Sequence, residues 1–90
     1  MLVQKNIIIS GRVQGVGFRA FALDKAKQFN IKGWIKNRSD GKVEAVVQGK
    51  DEDLKKLLAF LKEGPAWARV EGINIKDEKV DTSIKEFYIK

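Results

Sequence analysis

Along this chain of 90 residues the apolar pattern switches between strand period and helix period in one order, and that order leaves few folds open. The segment VQKNIIIS reads as a strand, with Ile7, Ile8 and Ile9 forming a continuous apolar run suited to a central, buried position. From Phe18 the period becomes helical. Phe18, Ala22, Ala26 and Phe29 fall at i, i+4, i+8 and i+11 on one face, and Asn30 or Gly33 can end the helix. The segment GWIKNRSDGKVEAVVQG then reads as a hairpin. Its strands cover about Gly33 to Arg38 and Lys42 to Gln48, around an Asp40-Gly41 turn. Asp51 is placed to cap a second helix, in which Leu54, Leu57, Leu58 and Leu61 keep helical spacing and which Gly64-Pro65 stops. RVEGINIKD and IKEFYIK supply two further strands, separated by a polar loop around EKVDTS.

The resulting order is strand, helix, strand, strand, helix, strand, followed by an extra terminal strand. It predicts an α+β fold of the ferredoxin-like, split βαβ kind: an antiparallel sheet with two helices on one face and an added C-terminal strand. No linker, repeat or low-complexity segment divides the chain, so residues 1–90 are expected to form a single domain. At this length folding buries roughly 60–65% of the unfolded surface, enough for one core. In this topology the first two strands run parallel with the third between them. The glycine-rich stretch after strand one and the residues around Asn37 should therefore be neighbours.

Composition removes several kinds of chemistry. The chain has no cysteine and no histidine, so it has neither disulfides nor thiolate metal sites, and the usual proton shuttle is missing. No metal or other cofactor is expected. No apolar run approaches the ~18–20 residues of a membrane span, and MLVQKN has no signal-peptide core, so a cytoplasmic protein is expected. The net charge of +6 favours an anionic partner, although lysines scattered over helices and strands also serve solubility.

One positive group is placed rather than scattered. In GRVQGVGFRAF, backbone N–H groups of a glycine loop open onto a helix N-terminus, an arrangement that binds anions. Arg19 lies in the first helical turn, where a cation opposes the helix dipole by about 0.3–1 kcal/mol. An anion between loop and guanidinium reverses the sign; a solvated surface arginine is the alternative. The Walker phosphate loop is excluded because its lysine is missing. Gly15-Val16-Gly17-Phe18-Arg19-Ala20 fits the relaxed dinucleotide fingerprint. The short chain, the hairpin that follows and the absence of an acidic residue ending strand two count against that reading. An RNA-recognition module shares the element order, but KNIIIS and KVEAVVQ carry no aromatic on which a base could stack. Trp34 and Trp67 read as packing residues at strand and loop edges.

SGRVQGVGFR, GWIKNRSDGKVEAVVQG and GPAWARVEGI together closely resemble the acylphosphatase family in order, spacing and length, over nearly the whole chain. The resemblance implies hydrolysis of a carboxyl–phosphate anhydride to carboxylate and inorganic phosphate, without metal or covalent intermediate. It implies that Arg19 binds the phosphoryl oxygens and that Asn37 holds the attacking water. The phosphate-cradling loop amides correspond to Gly15, Val16, Gly17, Phe18 and Arg19, with Gln14 at the rim. Ala66 and Trp67 depart from the family pattern, which more usually has a second proline and a small residue there. Without the resemblance, Asn37 reads equally as a turn former beside a hairpin.

The chemistry suits the composition. A carboxylate leaving group needs no general acid, and phosphoryl transfer depends on positioning and charge stabilisation. The expected partners are a small acyl phosphate and inorganic phosphate, as product and inhibitor, with no nucleic acid or membrane partner and a monomeric chain. Larger carbamoyl-transferring proteins contain related domains, but a chain ending at Lys90 is expected to be the free-standing form. The competing reading is a non-catalytic basic domain that binds RNA or a protein partner.

Overall fold

In the computed structural model, which describes residues 1–90, the isoleucine run lies at the heart of a five-stranded sheet. The elements are β1 (Leu2–Arg12), α1 (Phe18–Gln28), β2 (Lys32–Asn37), β3 (Val43–Lys50), α2 (Asp51–Glu63), β4 (Arg69–Glu78) and β5 (Phe87–Ile89). The strand order is β4-β1-β3-β2-β5. β1 pairs antiparallel with both β3 and β4, and β2 pairs antiparallel with β3. The first two strands are thus parallel, with β3 between them. The terminal strand adds a feature that element order did not specify: β5 joins the free edge of β2 in parallel, which makes the sheet mixed.

Alternation along the strands decides which side faces the helices. Ile7 and Ile9 of β1, Ile35 of β2, and Val43, Ala45 and Val47 of β3 are buried on one face. They pack with Phe18, Ala22 and Ala26 of α1 and with Leu54, Leu57 and Leu61 of α2 in a single cluster. At 20–33 cal/mol per Å² of buried apolar area, on the order of 2 kcal/mol per large side chain, this layer is the main stabilising element of the fold. Just beyond the Phe29 cap of α1, Asn30 takes φ 56, the left-handed conformation asparagine tolerates, and turns the chain out of the helix. α2 begins differently from the expectation, with Lys50 as its cap and Asp51 as its first helical residue. The reason is that β3 runs into α2 without a loop, so the extended Lys50 is the last residue before the helix.

The other face of the sheet carries no helix. Trp34 is half-buried there, with the Lys90 ammonium 4.3 Å and the Lys36 ammonium 5.5 Å from its ring. Trp67, read from sequence as a packing residue, is 79% exposed. Its turn, held by the Ala68 N–H to the Pro65 carbonyl at 3.0 Å, projects the ring away from the core. At one end of the sheet a polar clamp secures the segment between β4 and β5. The buried Gln4 Oε1 accepts from Gln48 Nε2 (2.9 Å) and from the Asp81 N–H (2.8 Å), while Gln48 Nε2 also donates to the Asp81 carbonyl (2.7 Å). That clamp fixes the segment leading into β5. No helix is long and apolar enough to cross a membrane.

Candidate active site

The site forms where β1 hands the chain to α1. A register shift at Ser10/Gly11 in the β1–β4 pairing bends the end of β1, and a Cβ on Gly11 would lie 2.1 Å from the Arg69 carbonyl oxygen. The loop that follows is anchored from below by Val13 and Phe18, both 1% exposed. Between these anchors Gly15 and Gly17 take φ 71 and φ 78. A Cβ on either would meet nothing within 4 Å, so the requirement for glycine is a backbone one: the chain curls through left-handed conformations over open space.

This curl leaves a row of unspent donors. None of the N–H groups from Gly15 to Ala20 reaches a backbone carbonyl; the first such bond runs from the Phe21 N–H to the Gly17 carbonyl at 3.0 Å. No side chain caps α1 and no acidic residue stands in its first turn. Arg19, half-buried at the second helical position, has no carboxylate within ion-pair distance. The positive end of the dipole, six free N–H groups and a guanidinium thus converge with nothing to balance them.

Across from the loop stands the end of β2. Asn37 follows Ile35 by two residues and so faces the helix side of the sheet, as the strand order requires. The hairpin after it is braced twice. The Arg38 N–H donates to the Lys42 carbonyl (2.8 Å) and the Gly41 N–H to the Arg38 carbonyl (3.2 Å). Gln14 Nε2 donates to the carbonyls of Arg38 (2.7 Å) and Lys42 (3.0 Å), tying the glycine loop to the hairpin.

Loop and strand enclose a cavity of about 220 Å³. Its polar lining residues are Gly15, Gly17, Arg19 and Asn37, and its apolar ones are Val13, Phe18, Ala20 and Ile89. The Asn37 Oδ1 is buried without any hydrogen-bond partner. An unpaired buried acceptor costs about 1–3 kcal/mol, so its persistence beside a cavity marks a place where a donor belongs. The cavity can therefore take a tetrahedral anion against the amides and Arg19, with a water molecule held at the Asn37 oxygen.

The structure brings Gly15, Gly17, Phe18, Arg19 and Asn37 together around this cavity. The side chains of Gln14 and Val16 do not line it: the Gln14 amide is committed to the hairpin, and the Val16 side chain packs partly buried against the core. Gln14 therefore braces the site from behind. Arg12 is exposed and unpaired. Arg38 borders a larger hollow of about 400 Å³ on the open sheet face, but its guanidinium is held by Asp40 (3.0 Å) and Glu44 (3.6 Å). The hydrogen bond from Arg38, helped by the Lys42 N–H, holds the Asp40 carboxyl below the usual carboxylate range, and Asp40 in turn raises Arg38. Arg19 is the free guanidinium at the anion cavity. Ile89 was missed by sequence reasoning. Only the parallel pairing of β5 with β2 brings it there, and nothing in a short terminal strand signals which neighbour it will choose. The chain contains no cluster of three or more His, Cys, Asp or Glu side chains able to hold a metal ion.

Comparison with known proteins is consistent with this geometry. The family model described as Acylphosphatase matches residues 5–89. The acylphosphatase of Chloroflexus aurantiacus is 45% identical over 78 residues, which are 87% of this chain and 85% of the relative. The crystal structure of acylphosphatase from Bacillus subtilis superposes with a TM-score of 0.94 at 37% identity, covering 100% of this chain and 99% of that one. A full-length HypF, solved in a phosphate- and nucleotide-bound form, superposes with a TM-score of 0.92 at 32% identity, and this chain spans 12% of its length.

Proposed function

Because the chain belongs to the acylphosphatase family and hydrolyses the carboxyl–phosphate anhydride of acyl phosphates to carboxylate and inorganic phosphate, we propose that the 220 Å³ cavity performs the reaction. In this reading the amides of residues 15–19 and the Arg19 guanidinium bind the phosphoryl oxygens, and Asn37 holds the attacking water. The observation that carries the assignment is the pairing of opposite needs across one cavity. Six N–H groups and an unpaired guanidinium want an anion, while the buried Asn37 oxygen opposite wants a hydrogen-bond donor.

The steps follow from those needs. The loop amides and guanidinium neutralise the equatorial oxygens, and charge stabilisation aimed at a preorganised position accelerates phosphoryl transfer without covalent participation by the protein. Water donates one hydrogen to Asn37 Oδ1, which points a lone pair of its oxygen at phosphorus. As the new P–O bond forms, the P–O bond to the carboxylate breaks, and the leaving carboxylate departs with its electron pair. The proton lost by water passes to the phosphate. Carboxylates are weak bases at neutral pH, so the absence of histidine is no handicap. Phosphate monoesters, with alkoxide leaving groups, should be poor substrates.

The same reading makes inorganic phosphate a product inhibitor, and takes residues 1–90 as one monomeric, cytoplasmic catalytic domain. The alternative of a non-catalytic domain that binds RNA or protein is not favoured by the comparisons. Two variants test the residue roles with benzoyl phosphate. Asn37→Ala should fold, bind phosphate with near-normal affinity and turn over about 100-fold or more slowly, because its role is on water. Arg19→Lys loses the forked geometry and roughly 1.5–3 kcal/mol, weakening phosphate inhibition and turnover together. Normal turnover in either variant removes that residue from the mechanism.

A further inference from the structure

The polar lining of the cavity is accounted for by the phosphoryl group and water; its apolar lining is not. Val13 and Phe18, each 1% exposed, line it but are spent on the core. Ile89 is different. It lines the same cavity yet remains 41% exposed, a large aliphatic side chain left at the mouth. Its placement follows from the sheet: Ile89 pairs with Ile35 in the parallel β2–β5 ladder, two residues before Asn37. The Lys90 N–H bonded to the Ile35 carbonyl at 2.8 Å holds the end of the strand there.

A phosphoryl group and a water molecule gain nothing from an aliphatic wall. The one part of an acyl phosphate that can use it is the organic group beyond the carbonyl. We propose that Ile89 is the acyl-side wall of the site and makes the enzyme prefer acyl phosphates whose acyl group is apolar and larger than acetyl. This inference rests on the assignment of the cavity as the phosphoryl site. Because the wall is open on one side, the preference is graded: a larger acyl group covers more of Ile89, and a charged or strongly hydrated one gains nothing from it.

The experiment compares kcat/KM for benzoyl phosphate and acetyl phosphate in the wild-type chain, Ile89→Ala and Ile89→Leu, with the inhibition constant of inorganic phosphate measured alongside. Ile89→Ala should lower the benzoyl-to-acetyl ratio by about three- to tenfold, mainly through KM for benzoyl phosphate, and leave phosphate inhibition unchanged. Ile89→Leu should restore most of the ratio. If Ile89→Ala does not fold, Ile89→Thr, which keeps the β-branched shape, should shift the ratio in the same direction by a smaller factor. An unchanged ratio overturns the inference. So does an equal loss on both substrates with weakened phosphate inhibition, which would make Ile89 a purely structural residue. Failure of the wild-type chain to cleave either compound would instead remove the hydrolase assignment, and this inference with it.

Discussion

Two helices rest on the same face of one sheet, and their first turns are opposites. α2 opens with Asp51, Glu52 and Asp53; α1 opens with no acidic residue and has Arg19 at its second position, where α2 has Glu52. Neither helix has a side-chain cap. In α2 the carboxylates meet the positive end of the dipole, so the helix start is complete by itself. In α1 the same requirement is left open and made larger by the unbonded amides of Gly15, Val16 and Gly17 and by a guanidinium. The difference separates a helix start built for stability from one built for a ligand. The free energy left out of the α1 terminus in the empty protein becomes available when an anion arrives.

The most severe way to break this contrast is to give α1 the residue that α2 has. Arg19→Glu should abolish hydrolysis of benzoyl phosphate, by at least about 10³-fold. It removes the guanidinium and puts a carboxylate where the phosphoryl oxygens bind. Folding stability should move the other way, up by about 0.3–1 kcal/mol, because the new carboxylate suits the dipole. Urea denaturation beside an activity assay reads both. A fall in stability would mean that Arg19 has a structural partner, and surviving activity would take it out of the site.

This contrast was already visible in the amino-acid order, because both first turns lie in continuous sequence and dipole arguments need no tertiary information. The pairing of the glycine loop with Asn37 was legible too, once the order of elements put β1 and β2 in parallel with β3 between them. Three things were not. The Gln14 amide reaches two carbonyls 24 and 28 residues away, which depends on the shape of the hairpin. Ile89 reaches the cavity through a parallel edge pairing of only three residues, too short for its pattern to name a partner. Without the family resemblance the Asn37 side chain reads equally as a turn former, and only burial of its oxygen without a partner marks it as unsatisfied. Local chemistry was readable where the chain itself brings the groups together; contacts made by edges and hairpin backbones were not.

A milder perturbation leaves the charges of α1 alone and alters the curl of its loop. Gly17 takes φ 78 with open space where a side chain would be, so Gly17→Ala introduces no collision. The cost is backbone strain, about 1–2 kcal/mol for an L-residue in the left-handed region. If the loop relieves that strain by turning its amides, kcat/KM for benzoyl phosphate should fall by about 10- to 100-fold, with phosphate inhibition weakened to match. Loss of stability with full activity would show that the amides of residues 15–17 are not the cradle.

The smallest effect should come from the reverse exchange. Glu52→Arg puts a guanidinium at the second position of α2, reproducing there the charge arrangement of Arg19 in α1. It should reduce stability by about 0.3–1 kcal/mol, less at high salt, and leave hydrolysis within about twofold of wild type. The sharper readout is phosphate. Wild-type chain and variant should show the same single binding event by calorimetry, because Lys50 enters α2 directly from β3 in an extended conformation and no glycine loop precedes it to turn further amides toward an ion. A second phosphate site in Glu52→Arg would mean that a helix start with an arginine is sufficient. The curled loop from Gly15 to Gly17 would then be incidental to binding, and its glycines would need another explanation.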